Sequence, residues 1–328
     1  MLVDTHTHFY DEWLLPDAEA AIQRALDAGV GKMIQADIDS VERPRMWEIG
    51  LRHPGVLFQM AGLYPGSVTA DNWRYELDLV HGIFGRGTIS GGGPGPGSVP
   101  QNTVEGTVGG PGPRGKMAPS PDYGWTRSTD VLDQVQGIAA GDARSRPSMT
   151  GMTSVPGMTE IVAIGEIGLD YHEGKEYVKE QKEVLRLQFE LAAKLGLPVN
   201  IHLRDAWEDF LTILKDCKHL DLRGNLHCFS GSYEVYQEAN RYGNWSVGIG
   251  GVVTFKNSKL AQTVARIPME HILLETDAPY LAPVPYRGKR NESSYLPLIA
   301  EKVAEVKGIS AEECAEITTK NAETLFDI

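Results

Sequence analysis

The chain has 328 residues, 41% hydrophobic and 23% charged, proportions of an ordinary globular protein rather than a disordered or fibrous one. No apolar run approaches the ~20 residues that a membrane-spanning helix requires. A formal net charge of −13 opposes indiscriminate attraction to nucleic acid, though bound cations could still receive a phosphate locally.

Short apolar runs first alternate with stretches of helical spacing. Residues 2–7, 32–36 and 56–63 read as strands, and 17–28 and 41–52 as helices between them. Asp17 and Ser40 stand where N-caps are expected, and Gly29 where the first helix should stop. Residues 86–157 break this pattern with GGGPGPG, GGPGPRG and many Ser, Thr and Pro. Apart from a short helix expected at 129–139, little there could offset an ordering cost of about 1–2 kcal/mol per residue. A disordered, low-complexity insertion into one barrel domain is the expectation. Alternation resumes at Glu160, with strands expected at 161–169, 198–203, 223–229, 245–250 and 271–277. Helices are expected at 176–195, 206–217, 293–306 and 311–326.

Three strands before the insertion and five after it make eight. Continuous apolar strands joined by helices point to an α/β fold, the parallel (β/α)₈ TIM barrel, with the insertion between the third and fourth strands. An open doubly wound sheet is the alternative, but no Gly-rich dinucleotide turn supports it. Cys217, Cys228 and Cys314 are scattered, contain no C-x-x-C pair and suit reduced thiols. MLVDTHTHFY lacks the basic and apolar regions of a secretory signal, so a cytoplasmic location is expected.

The chemistry lies at the strand ends. His6 and His8 are two apart on a strand, so both imidazoles should face one side. Asp4 shares that face, as a partner for a histidine or simply as a strand-start hydrogen-bonding residue. Glu166, His202, His227 and Asp277 each come at the end of a later strand. Barrel enzymes assemble their sites at this C-terminal rim. Four imidazoles and two carboxylates exceed what one tetrahedral cation uses, so two divalent cations sharing a carboxylate are expected. Zn²⁺, Mn²⁺ or Mg²⁺ would serve, the mixed donors favouring the first two. Cys228 should point to the opposite side of its strand from His227 and pack there.

VDTHTHFY, EIGLDYH, PVNIHLRDAWED, HCFSGS and LLETDAPYL, in that order, resemble the signatures of the TatD-type metal-dependent deoxyribonucleases, among the amidohydrolase-like barrels. The resemblance spans most of residues 1–84 and 158–328. It implies that His6, His8 and Asp277 hold one metal, His202 and His227 the second, and that Glu166 bridges them. It further implies that Asp277 is the general base and that Arg204 contacts a substrate phosphate, with a rim salt bridge as the lesser alternative for that arginine. Ser230 could donate to the same phosphate or simply make a turn. Glu275 could support the site from one residue pair deeper. One departure is visible: where relatives carry Gly-x-His-Pro-His, this chain has GLYPG, so Tyr64 and Gly66 replace two histidines.

The implied activity is hydrolysis of phosphodiester bonds, with DNA the expected substrate and no obligate protein partner. Two alternatives differ in kind: an amidohydrolase or esterase acting on a small carbonyl substrate, and an inactive scaffold or binding barrel.

Overall fold

The computed structural model describes residues 1–85 and 160–328. The low-complexity stretch, with the helix expected at 129–139, lies outside the described residues. Eight strands follow one another in sequence order in a single parallel sheet: β1 (Leu2–Thr7), β2 (Val30–Gln35), β3 (Leu57–Ala61), β4 (Ile161–Asp170), β5 (Val199–Arg204), β6 (Arg223–Leu226), β7 (Asn244–Ile249) and β8 (Ile272–Leu274). The seam between β8 and β1 closes just beyond the β8 ladder. Thr7 bridges Ala278 in parallel, the Asp277 N–H donates to the His6 carbonyl (3.0 Å), and the His8 N–H donates to the Ala278 carbonyl (2.8 Å). The closed (β/α)₈ barrel is therefore present, not the open sheet.

Strands buried on both faces explain the unbroken apolar runs: all residues of β3 and β4 are buried. Nine α-helices accompany them among the described residues: α1 (Ala18–Asp27), α2 (Arg43–Arg52), α3 (Trp73–Ile83), α4 (Val178–Leu195), α5 (Trp207–Asp216), α6 (Tyr233–Ala239), α7 (Leu260–Arg266), α8 (Leu296–Lys307) and α9 (Ala311–Phe326). α1 buries Ala18, Ala21, Ile22 and Ala25, the i, i+3, i+4, i+7 stripe of a helix laid on a sheet. A large apolar cluster fills the space between strands and helices. A smaller one ties Val3, Ile34, Phe58, Met60 and Leu273 to Ala322 and Phe326 of α9.

The helix ends depart in part from expectation. Gly29 follows α1 at φ +85°, a conformation that favours glycine, and so ends the helix as expected. Asp17 stands at the N-cap of α1, but its side chain caps nothing, because Arg24 and Arg290 take its carboxylate. Ser40 is not the cap of α2, which starts after Glu42; its hydroxyl instead donates to Glu76 (2.7 Å). No described helix is long and apolar enough to cross a membrane.

Candidate functional site

The alternation of β1 brings His6 and His8 together, their Nε2 atoms 3.0 Å apart and both rings buried. Tyr10 lies in the turn that follows β1. Its hydroxyl donates to the Ala36 carbonyl (2.5 Å) and lies 2.8 Å from His8 Nδ1. A phenol has one proton, and it is committed to Ala36, so His8 Nδ1 must be the donor. That leaves the His8 Nε2 lone pair facing the cluster.

Glu166 is the sixth of ten residues in β4, so the strand runs on past it instead of ending there. Its N–H donates to the Asp37 carbonyl (2.9 Å), and the buried Asp37 carboxylate accepts from Arg43 Nε (2.6 Å) and the Gly62 N–H (3.0 Å). The Glu166 carboxylate divides the histidines. Oε2 lies 3.3 Å from His6 Nε2 and 3.8 Å from His8 Nε2, while Oε1 lies 2.9 Å from His202 Nδ1 and 3.7 Å from His227 Nε2. Burial would raise this carboxyl, but the charge of His6 and hydrogen bonds from His202 and His6 hold it well below the usual carboxylate range.

His202 stands between two acids, its Nε2 3.0 Å from Asp170 Oδ2. Burial pushes this imidazole down, but the hydrogen bonds to Asp170 and Glu166 outweigh it and bring it to about 9. The Asp170 carboxyl is raised by burial yet drawn down to about 2 by His202 and the N–H groups of Glu173 and His172. Tyr64 presents its ring to His202, centroids 4.9 Å apart, with its hydroxyl 3.4 Å from Asp170 Oδ2. A Cβ on Gly66 would lie 2.4 Å from the Tyr64 ring. The two replacements are thus one feature: Gly66 leaves the room that the tyrosine ring takes.

His227 comes directly after β6 and stacks on His6, with ring centroids 3.5 Å apart. Its Nδ1 is 3.0 Å from Glu275 Oε1. The β8 ladder ends at Leu274, three residues before Asp277, so that carboxylate does not close a strand as expected. Asp277 has a left-handed φ of +57° and is held across the seam by its bond to His6. Its Oδ1 lies 3.6 Å from His8 Nε2 and 3.9 Å from both His6 Nε2 and His227 Nε2.

Among the described residues, three groups place ligand atoms within 4.8 Å of one another: His6, His8 and Asp277; His6, Glu166 and His227; and His227, Cys228 and Asp277. His202 joins none of them and reaches the centre through Glu166. The expected placement of Cys228 is corrected. It lies beyond β6 at φ +45°, where strand alternation no longer applies, and its sulfur is on the side of His227. Burial, reinforced by Asp277, Glu275 and Glu166, keeps its thiol protonated. Asp4 accepts from the Thr276 N–H (2.9 Å), the Thr276 hydroxyl (2.6 Å) and the His6 N–H (3.3 Å), which makes it a clamp on the seam rather than an imidazole partner.

Arg204, the last residue of β5, is exposed with Nη1 3.4 Å from Glu173 Oε1, and Ser230 lies exposed in the loop after β6. Tyr10 and Asp170 were missed from the sequence. Asp170 continues a period of two from Glu166 within β4, and that spacing could have found it, whereas Tyr10 lies in the turn after β1, where alternation gives no signal.

A family model described as TatD related DNase matches residues 3–108 and 117–327. A Bacillus subtilis relative named as the uncharacterized metal-dependent hydrolase YabD is 50% identical over 170 residues, covering 52% of this chain and 66% of the relative. A Salmonella typhimurium relative named 3'-5' ssDNA/RNA exonuclease TatD is 36% identical over 190 residues, covering 56% of this chain and 73% of the relative. The chain thus spans just under two thirds of the Bacillus protein. The crystal structure of YjjV, a TatD homolog from Escherichia coli K12, shares the fold at a TM-score of 0.70 and 24% identity, covering 100% of this chain and 98% of that one. With the family match extending over both parts of the barrel, this chain belongs to the TatD related DNase family.

Proposed function

We propose that the chain is a metal-dependent hydrolase of phosphodiester bonds that removes nucleotides from the ends of DNA. The observation that carries this reading is the Glu166 carboxylate, with one oxygen turned to His6 and His8 and the other to His202 and His227. A carboxylate so placed suits a bridge between two cations. The donors fit such a load: His8 turns its Nε2 lone pair to the cluster, and the carboxylates of Glu166 and Asp277 converge on the imidazoles. His6, His8 and Asp277 would hold one divalent cation and His202 and His227 the other. Nitrogen and oxygen donors together favour Zn²⁺ or Mn²⁺ over Mg²⁺.

When bound, such cations polarise the phosphoryl oxygens and acidify the attacking water near neutral pH. The protein's own groups do the rest. Asp277, whose side chain is more accessible than that of Glu166, accepts the proton of the water. Glu275 and Tyr10 keep His227 and His8 oriented through their Nδ1 atoms. Arg204, released from Glu173, holds the phosphate next to the scissile bond. The names of the exonuclease relatives favour a nucleic-acid substrate.

The test combines metal analysis with a substrate panel of single-stranded DNA, RNA and cyclic amides. Chelator-sensitive release of nucleotides from DNA ends, with close to two equivalents of metal bound, is the expected result. Amide hydrolysis without phosphodiesterase activity would transfer the site to the amidohydrolase reading, and full DNase activity in metal-free protein would remove the mechanism.

A further inference from the structure

Two aromatic side chains stand exposed at the catalytic rim although nothing in the proposed chemistry uses them. Trp13, in the loop after β1, is 49% exposed, and Tyr280, in the loop after β8, is 36% exposed. Their ring centroids are 6.0 Å apart, and the Tyr280 ring lies 6.4 Å from that of His8. Both loops are fastened. The Tyr280 hydroxyl donates to Asp11 (2.6 Å), the Tyr280 N–H donates to the Asp277 carbonyl (2.7 Å), and Arg290 donates to the Trp13 carbonyl (2.9 Å). Exposing two large rings to water costs free energy, and fixing the loops that carry them suits a surface built for contact.

We infer that Trp13 and Tyr280 form a shelf on which an unpaired base at the end of a nucleic-acid strand stacks beside the metal centre. The inference rests on the phosphodiesterase reading above and specifies how that site takes its substrate. Every base has a π-face, so stacking on aromatic rings holds a strand end without selecting its sequence. The charge around the shelf separates base from phosphate. Asp11 and the exposed Glu12 adjoin Trp13 and repel a phosphate there, while the exposed Lys256, Arg287 and Lys289 sit on the loops that follow β7 and β8. The Thr254 hydroxyl accepts from the Val284 N–H (2.9 Å), and Arg287 lies over the Phe255 ring, so those two loops are joined. A strand can therefore rest its terminal base on the acidic, aromatic side and run its backbone along the basic side. A duplex end would have to fray first, so single strands are the favoured substrate.

The experiment compares the full chain with Trp13→Ala and Trp13→Phe on two single-stranded 12-mers, one with normal bases and one abasic at both terminal positions. Fluorescence anisotropy with cleavage-resistant phosphorothioate versions reads binding, and nucleotide release reads KM and kcat. On the normal oligomer, Trp13→Ala is expected to weaken binding and raise KM by about tenfold with little change in kcat, and Trp13→Phe to recover most of the loss. On the abasic oligomer the Trp13→Ala penalty should fall below about twofold, as stacking predicts. An equal penalty on both oligomers, or none on the normal one, overturns the shelf while leaving the nuclease reading intact. A wild-type protein that neither binds nor cleaves either oligomer overturns the nuclease reading, and the shelf with it.

Discussion

The Tyr10 hydroxyl lies 2.8 Å from His8 Nδ1 and gives its only proton to the Ala36 carbonyl, so it sets which nitrogen of His8 carries the hydrogen. Tyr10→Phe removes both contacts at once. It is expected to cost about 1–3 kcal/mol of stability, because two buried polar groups lose their partner. Metal affinity should fall by about 10- to 100-fold, the usual effect of losing the partner of a ligating histidine. Titration of the purified variant with Zn²⁺ or Mn²⁺ checks this, and unchanged affinity would remove Tyr10 from the site.

Glu166→Gln should reduce kcat far more than Arg204→Ala. The first change neutralises the group that faces all four histidines, whereas the second removes one exposed phosphate contact. Loss of a single charge-assisted contact should cost about 1.5–3 kcal/mol, seen mainly in KM. Near wild-type turnover by Glu166→Gln with its full metal complement would show that the bridge is misassigned.

Glu275 is wholly buried and fits against Gly248, where a Cβ would come within 1.9 Å of Glu275 Oε2. Gly248→Ala therefore has to displace the carboxylate that lies beside His227. Overpacking of this kind costs about 1–3 kcal/mol. The additional expectation is weaker metal binding, measured by calorimetry, since a purely steric defect elsewhere in the barrel would lower stability without touching the metal.

Acid should weaken the ion-pair network of Asp17, Arg24, Arg290 and Glu292. Hydrogen bonding to Arg290 holds the Asp17 carboxyl below its ordinary range. Glu292 is raised by burial but brought lower by Arg24 and Arg290. Because both folded pKa values lie below the unfolded ones, their stabilisation is present above pH about 4 and is lost as pH falls through the depressed values. Urea unfolding should show this acid-side loss, and Arg290→Met should flatten it. Equal slopes for the two proteins would mean that the network is too exposed to matter.

Removing residues 87–157 and joining the ends with a short linker should leave a folded, metal-binding barrel. None of the six proposed ligands lies in that stretch. The chain returns from it at Glu160, whose carbonyl accepts from the Gln59 N–H (3.0 Å) at the start of β4, the end of the strand away from the rim that carries the histidines. Loop closure adds only about 0.6 kcal/mol for each doubling of length. Thermal unfolding, metal content and nuclease rate of the two proteins decide the matter. A soluble, metal-loaded but inactive deletion protein would assign the stretch a part in catalysis.

Strand alternation alone placed His6 beside His8, and the recurrence of a potential ligand near the ends of later strands singled out Glu166, His202, His227 and Asp277. These readings work because side-chain direction in a strand follows from covalent geometry, and because parallel strands buried on both faces must be apolar until they reach the rim. Where the ladder stops, that logic stops too. Cys228 turns to the side of His227 because its backbone is already left-handed, and Asp277 reaches the histidines through the bond that closes the seam to β1. Asp17 and Ser40 have the chemistry of N-caps, yet Arg290 and Glu76 claim their side chains. Partners such as Tyr10 with Ala36, Glu275 with Gly248, or Trp13 with Tyr280 lie tens to hundreds of residues apart in the chain. The first pair needs β1 beside β2 and the second β7 beside β8, while closing the ring at the β8–β1 seam brings Trp13 to Tyr280, so the distances that decide hydrogen bonding, stacking and pKa belong to the assembled barrel and not to any segment of it.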